Sequence, residues 1–125
     1  MISKIGQIML YLNNQDVAIK FWTEKVGFVV KKEEDNGQGM RWIEIAPSLD
    51  SDTSIVLHNK DFVAKMSPEL NLGTPSILFY SDNIEELRSD LLNKNIIVGE
   101  IVSMPSGRVF NFADDEENYF AVMEK

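Results

Sequence analysis

The chain has 125 residues with 20 Asp+Glu against 12 Lys+Arg, a formal net charge of −8, one histidine and no cysteine. Disulfides, thiolate metal sites, Cys nucleophiles and any site with two histidine ligands from one chain are thereby excluded. An acidic chain with scattered basic residues also lacks the Lys/Arg surface that nucleic acid requires.

The first residues with strand character alternate: Ile8, Leu10 and Leu12 point one way, Gln7, Met9 and Tyr11 the other. Asn13-Asn14 supplies a cap or turn. From Gln15 to Lys25 the apolar spacing predicts a helix, with Val17, Ala18, Phe21 and Trp22 on one face and Gly27 as its stop. Phe28-Val29-Val30 resumes a strand, and Asp35-Asn36-Gly37-Gln38-Gly39 is a turn. Strands follow over Met40–Ala46 and Thr53–His58, so the first half reads β-α-β-β-β.

The second half has the same order. Ser76–Tyr80 is a strand, and Asp82-Asn83 opens a helix over Ile84–Lys94 whose apolar side carries Leu87, Leu91 and Leu92. Ile96–Val102 is a strand. Arg108–Phe112 and Tyr119–Met123 alternate as a hairpin around Asp114–Glu117. The two halves echo each other in residues as well: Ile8-Met9-Leu10-Tyr11 and Ile77-Leu78-Phe79-Tyr80 lie 69 positions apart, each leading into an Asn/Asp pair and an amphipathic helix. The chain is thus read as one domain of residues 1–125, with a module at 1–58, a linker at 59–73 bearing a short helical turn (Phe62, Val63, Met66), and a module at 74–125. The fold class is α+β.

One helix covers only one face of each small sheet. The other faces need a partner, and the economical arrangement brings both sheets around a shared cleft. Strand phase assigns to it Gln7, Met9, Tyr11, Trp42, Glu44, Ser54, Val56, His58, Ser76, Leu78, Tyr80, Arg108, Phe110, Phe112, Tyr119 and Met123. Large aromatics with a few polar groups are the usual lining of a small-molecule site. Glu44 and His58, on adjacent strands, are the candidate acid/base pair; the alternatives are a solvated rim carboxylate and a capped strand-end histidine. Arg108 suits an anionic ligand or Glu44, or is an exposed hairpin residue. Gln7 either bonds a ligand or satisfies nearby backbone. The aromatic set suits a planar ligand, including a cationic one. Asp114–Glu117 lacks the spaced ligands of a calcium loop and reads as a solvated hairpin tip.

Ile8-Met9-Leu10-Tyr11, Asp16, Ala18, Phe21-Trp22 and Gly27-Phe28 resemble the first module of the glyoxalase/bleomycin-resistance/dioxygenase (vicinal oxygen chelate) superfamily. Phe112-Ala113-Asp114-Asp115-Glu116-Glu117-Asn118 resembles its terminal Phe-x-Asp-Pro-Asp-Gly-Asn hairpin. The resemblance implies paired βαβββ modules in a curved, partly open mixed sheet, and commonly a homodimer. It also implies a divalent metal in the cleft, but the ligand positions fall on Gln7, near Val56, on Ser76 and near Ala121, a set with little to hold a transition metal. The expectation is a small-molecule-binding protein without the usual metal centre or other cofactor, taking an aromatic or cationic ligand. The alternative is a glyoxalase-like lyase or isomerase, or a dioxygenase-like enzyme, with one divalent metal relocated to Glu44, His58 and Gln7. No apolar run approaches the roughly 20 residues that span a bilayer, and the opening residues lack a basic segment followed by an apolar one, so a cytoplasmic protein with no membrane partner is expected.

Overall fold

The computed structural model describes residues 1–125, which divide into two compact units, Met1–Pro75 and Ser76–Lys125. In the first unit, β1 (Gln7–Leu12) runs into Asn13-Asn14, where the Asn14 carboxamide accepts the Val17 N–H at 3.1 Å and starts α1 (Gln15–Lys20). The helix then widens into one π turn over Phe21–Lys25, with Val26 N–H bonding the Phe21 carbonyl. The Thr23 hydroxyl donates to the Ile19 carbonyl at 2.7 Å and competes for an acceptor of the regular helix ladder. Gly27, at φ 91°, ends the helix in a conformation side chains resist. Strands β2 (Val29–Asp35), β3 (Arg41–Ala46) and β4 (Ser54–Asn59) follow, and α2 (Lys60–Met66) occupies the segment read as a linker.

The sheet order is β1-β4-β3-β2, with β4 parallel to β1 and antiparallel to β3. Register places Ile8 beside Ile55, Leu10 beside Leu57, and Ile43 and Ile45 beside Leu57 and Ile55. These residues form one face. Leu10, Leu12, Ile43, Ile45 and Leu57 are fully buried there, as are Ala18 and Trp22 of the helix. Each such Leu or Ile contributes roughly 1.5–3 kcal/mol by leaving water. Val17, expected on the apolar helix face, is instead 46% exposed; Ala18, Phe21 and Trp22 define the inward stripe. Gln15 is buried among them and donates to the carbonyls of Arg41 (2.7 Å) and Leu57 (3.0 Å), tying the helix start to β3 and β4.

The second unit repeats the plan: β5 (Leu78–Ser81), α3 (Ile84–Asn93), β6 (Val102–Met104), β7 (Gly107–Ala113) and β8 (Tyr119–Glu124), ordered β5-β8-β7-β6. The repeat extends to a single hydrogen bond. Asn83, 69 positions after Asn14, caps α3 by accepting the Glu86 N–H at 3.1 Å. The predicted strand Ile96–Val102 is corrected. Asn95 turns the chain with φ 63°, Ile96 drops into the core, Val98 makes one bridge to Phe112, and regular pairing begins only at Val102. Leu91 of α3 is buried, whereas Leu92 is exposed. No helix is long and apolar enough to cross a membrane.

Candidate functional site

In the first unit the face turned away from α1 carries the residues that strand phase selected. Gln7, Met9 and Tyr11 sit opposite Ser54, Val56 and His58, and Glu44 and Trp42 continue the last two rows across β3. A bulge between Val30 and Lys32 reverses the phase of β2, bringing Lys32 beside Glu44 and Glu34 beside Trp42. One rung is therefore Tyr11-His58-Trp42-Glu34, and the next is Met9-Val56-Glu44-Lys32.

The aromatic rung is partly open to solvent. Tyr11 stacks on His58 with ring centroids 5.9 Å apart and an interplanar angle of 25°. His58 Nε2 lies 3.2 Å from Met9 Sδ. Burial pushes the imidazole below its ordinary pKa of 6.5. Ser54, buried, donates its hydroxyl to Glu44 Oε2 at 2.5 Å, while Val56 is packed between Met9 and Glu44. Gln7 is exposed at the strand start. Glu44 and His58 each have their own partner, no hydrogen bond or ion pair links them, and register sets them two positions apart.

The second unit corrects part of the expected lining. Residues of equal parity pair across β7 and β8, Phe110 with Val122 and Phe112 with Phe120. Phe110 and Phe112 are therefore buried in the core with Phe120, beside the half-buried Phe79, and the Phe112–Phe120 centroids lie 5.8 Å apart. Tyr119 and Met123, of the other parity, lie on the opposite face with Leu78 and Tyr80. Strand phase alone had put all of them together, because it carries no register between strands. Arg108 shares the parity of Phe110 and does not join that opposite face. Its guanidinium is held by Glu124 (2.9 and 3.0 Å) and by Glu85 of α3 (2.8 Å). Leu78, Tyr80 and Tyr119 are exposed, and Lys125 Nζ lies 4.7 Å from the Tyr80 ring centre. Ser76 is exposed and outside any strand.

A second feature of the first unit lies where α2 leaves β4. Asn59 caps α2 by accepting the Phe62 N–H at 2.9 Å. Phe62, Val63 and Met66 then border a hollow of about 190 Å³ together with Met40, Arg41, His58, Asn59 and Ser67. The sequence signal for it was the trio Phe62, Val63 and Met66, whose helical spacing marks one apolar face of a short helix.

Residues 4–122 match the model of the Glyoxalase/Bleomycin resistance protein/Dioxygenase superfamily. The chain belongs to this superfamily. It is 30% identical over 125 residues to YetH of Bacillus subtilis (strain 168), covering 99% of this chain and all of that one. Among solved structures it resembles TnmS3, described as an antibiotic binding protein from Streptomyces sp. CB03234, at 25% identity and a TM-score of 0.83, covering 98% of this chain and 96% of that one. A superfamily member from Sphaerobacter thermophilus DSM 20745 shares the fold at 19% identity and a TM-score of 0.83, with 99% and 98% covered.

The metal that the superfamily implies finds a poor donor set at the corresponding positions. Val56 and Ala121 have no donor atoms in their side chains, and Gln7 and Ser76 offer only neutral oxygens. Elsewhere no three His, Asp or Glu side chains converge in a way that could hold a metal ion.

Proposed function

We propose that the protein binds a small planar aromatic molecule on the uncovered face of the first sheet, without a divalent metal or other cofactor. The observation that carries this reading is the rung Tyr11-His58-Trp42, three rings side by side on three strands and all partly open. Rings spaced by strand pairing offer a flat surface on which a second ring system stacks. Met9, half-buried, extends the surface with apolar contact over the buried Val56, and Glu44, held by Ser54, adds a fixed acceptor at its margin. The net charge of −8 favours a neutral or cationic ligand. The likeness to an antibiotic-binding protein supports a binding role. Leu78, Tyr80 and Tyr119 are further candidates for ligand contact, and a homodimer is part of the reading because superfamily members commonly dimerise.

The test is a fluorescence titration with proflavine, a planar cation, and with an anionic naphthalene sulfonate. Proflavine should bind saturably and quench Trp42, and Trp42→Ala should weaken it at least tenfold. Equal binding of both dyes, or no change in Trp42→Ala, would refute the site. Stoichiometric retention of Ni²⁺, Zn²⁺ or Mn²⁺ after dialysis would favour a metalloenzyme instead.

A further inference from the structure

The hollow beneath α2 has features that the stacking face does not need. Its walls are mainly Met40, Phe62, Val63 and Met66. Arg41 adds its stem and little free charge, since Nη1 bonds Asp16 at 2.7 Å and Nε bonds Glu33 at 3.0 Å. The remaining polar ring is His58, whose tautomer the neighbouring thioether selects. Met9 Sδ has no proton to give, so the 3.2 Å contact favours the tautomer with the hydrogen on Nε2. Nδ1 is then a bare acceptor, and no protein group donates to it. Size narrows the occupant. An enclosed apolar cavity of roughly 150 Å³ takes a benzene ring; this hollow of about 190 Å³ is open to solvent at Met66, 69% exposed, and has room for one ring with a small substituent.

We propose that this hollow is a binding site for a single-ring phenol, whose ring lies among Met40, Phe62, Val63 and Met66 and whose hydroxyl donates to His58 Nδ1. The site shares only His58 with the aromatic face and does not depend on that face being occupied. The phenol donates to an acceptor that no protein group occupies, which toluene, of nearly the same shape, cannot do.

The probes are phenol and toluene, added to ¹⁵N-labelled protein. A single histidine means a single pair of imidazole nitrogen signals. Phenol should bind saturably, move the amide signals of Phe62, Val63 and Met66, and shift the His58 Nδ1 resonance. Toluene should move the same amides and leave Nδ1 unchanged. Protonated His58 has no acceptor, so phenol binding should weaken as the imidazole titrates, while toluene binding should hold. Arg41 is the only charged group lining the hollow, and its carboxylate partners keep it protonated; Tyr11 stacks on the ring, and α2 presents no titratable side chain to the cavity. His58→Leu should cost phenol roughly five- to tenfold in affinity and toluene less than about twofold. Phe62→Ala should abolish saturable binding of phenol and toluene and leave proflavine binding unchanged, which separates this site from the stacking face. Hydrogen on Nδ1 in the unliganded wild type, absence of saturable phenol binding, or parallel losses for phenol and toluene would each overturn the proposal.

Discussion

The connection between β7 and β8 offers a substitution that should stabilise the protein. Asp114, buried, accepts the N–H groups of Glu116 (2.9 Å) and Asn118 (2.8 Å) and the Asn118 carboxamide (3.0 Å), while its own N–H bonds the Asn118 carbonyl at 2.9 Å. This network fixes the loop and forces Glu117 to φ 62°, the left-handed region. An L-residue with a β-carbon pays roughly 1–2 kcal/mol there, and the terminal motif that this hairpin resembles has glycine at that position. Glu117→Gly removes the penalty and loses roughly 0.4–1 kcal/mol through the greater freedom of the unfolded chain. The net gain should be about 0.5–1 kcal/mol, or roughly 3 °C in melting temperature for a chain of this length. Urea unfolding followed by tryptophan fluorescence measures it, with Glu117→Ala as the control that removes the carboxylate and keeps the β-carbon. If Glu117→Ala gains as much as Glu117→Gly, the effect is one of charge among neighbouring acids and the backbone argument is wrong. If Glu117→Gly loses stability, the loop does not hold the strain assigned to it.

Gln15→Leu should destabilise by about 2–4 kcal/mol in the same assay, because the carbonyls of Arg41 and Leu57 lose a buried donor; a loss under about 0.5 kcal/mol would mean water replaces it freely. Gly27→Ala should cost about 1 kcal/mol or more from φ 91° alone, since the added methyl meets no atom within 4 Å; an unchanged urea midpoint would show that the turn relaxes without cost. His58 should titrate below 6.5 by NMR. Its unfolded form then binds more protons than the folded form between the two pKa values, so its contribution to stability is complete above about 6.5 and declines as pH falls below it. Stability independent of this histidine, shown by a His58→Gln variant with the same pH dependence between 7 and 5, would exclude that linkage.

Much of the fold was legible because local signals and the repeat agreed. The pairs Asn13-Asn14 and Asp82-Asn83 could be named as helix starts from their side chains, the second residue of each being the cap, and the alternation of Ile8, Leu10 and Leu12 identified the covered face of β1. The π turn was not legible, because Gln15–Lys25 has apolar spacing compatible with a plain helix, and the Thr23 back-bond that disturbs it depends on the folded geometry. The segment after α3 failed for a different reason. Ile96, Ile97 and Val98 are strong strand formers, but Asn95 turns the chain so that Ile96 fills the core and only Val98 reaches β7.

The division of residues between the two sheet faces was legible in one unit and misread in the other, and register explains the difference. In the first unit β1, β3 and β4 each have one apolar and one mixed face, so parity within a strand already separates Leu10, Ile43 and Leu57 from Tyr11, Trp42 and His58. In the second unit β7 offers Phe110 and Phe112 on one parity and Val109 and Asn111 on the other, while β8 alternates Tyr119 and Met123 with Phe120 and Val122. Both faces carry apolar or aromatic residues, so composition does not choose between them. The pairing is decided by the Asp114–Asn118 loop, which seats Ala113 opposite Tyr119 and thereby gives Phe110 and Phe112 to the core. A hairpin with one residue more or fewer in that loop would reverse the pairing of one strand against the other. The loop that Asp114 closes therefore determines which aromatics of this unit enter the core and which stay outside it.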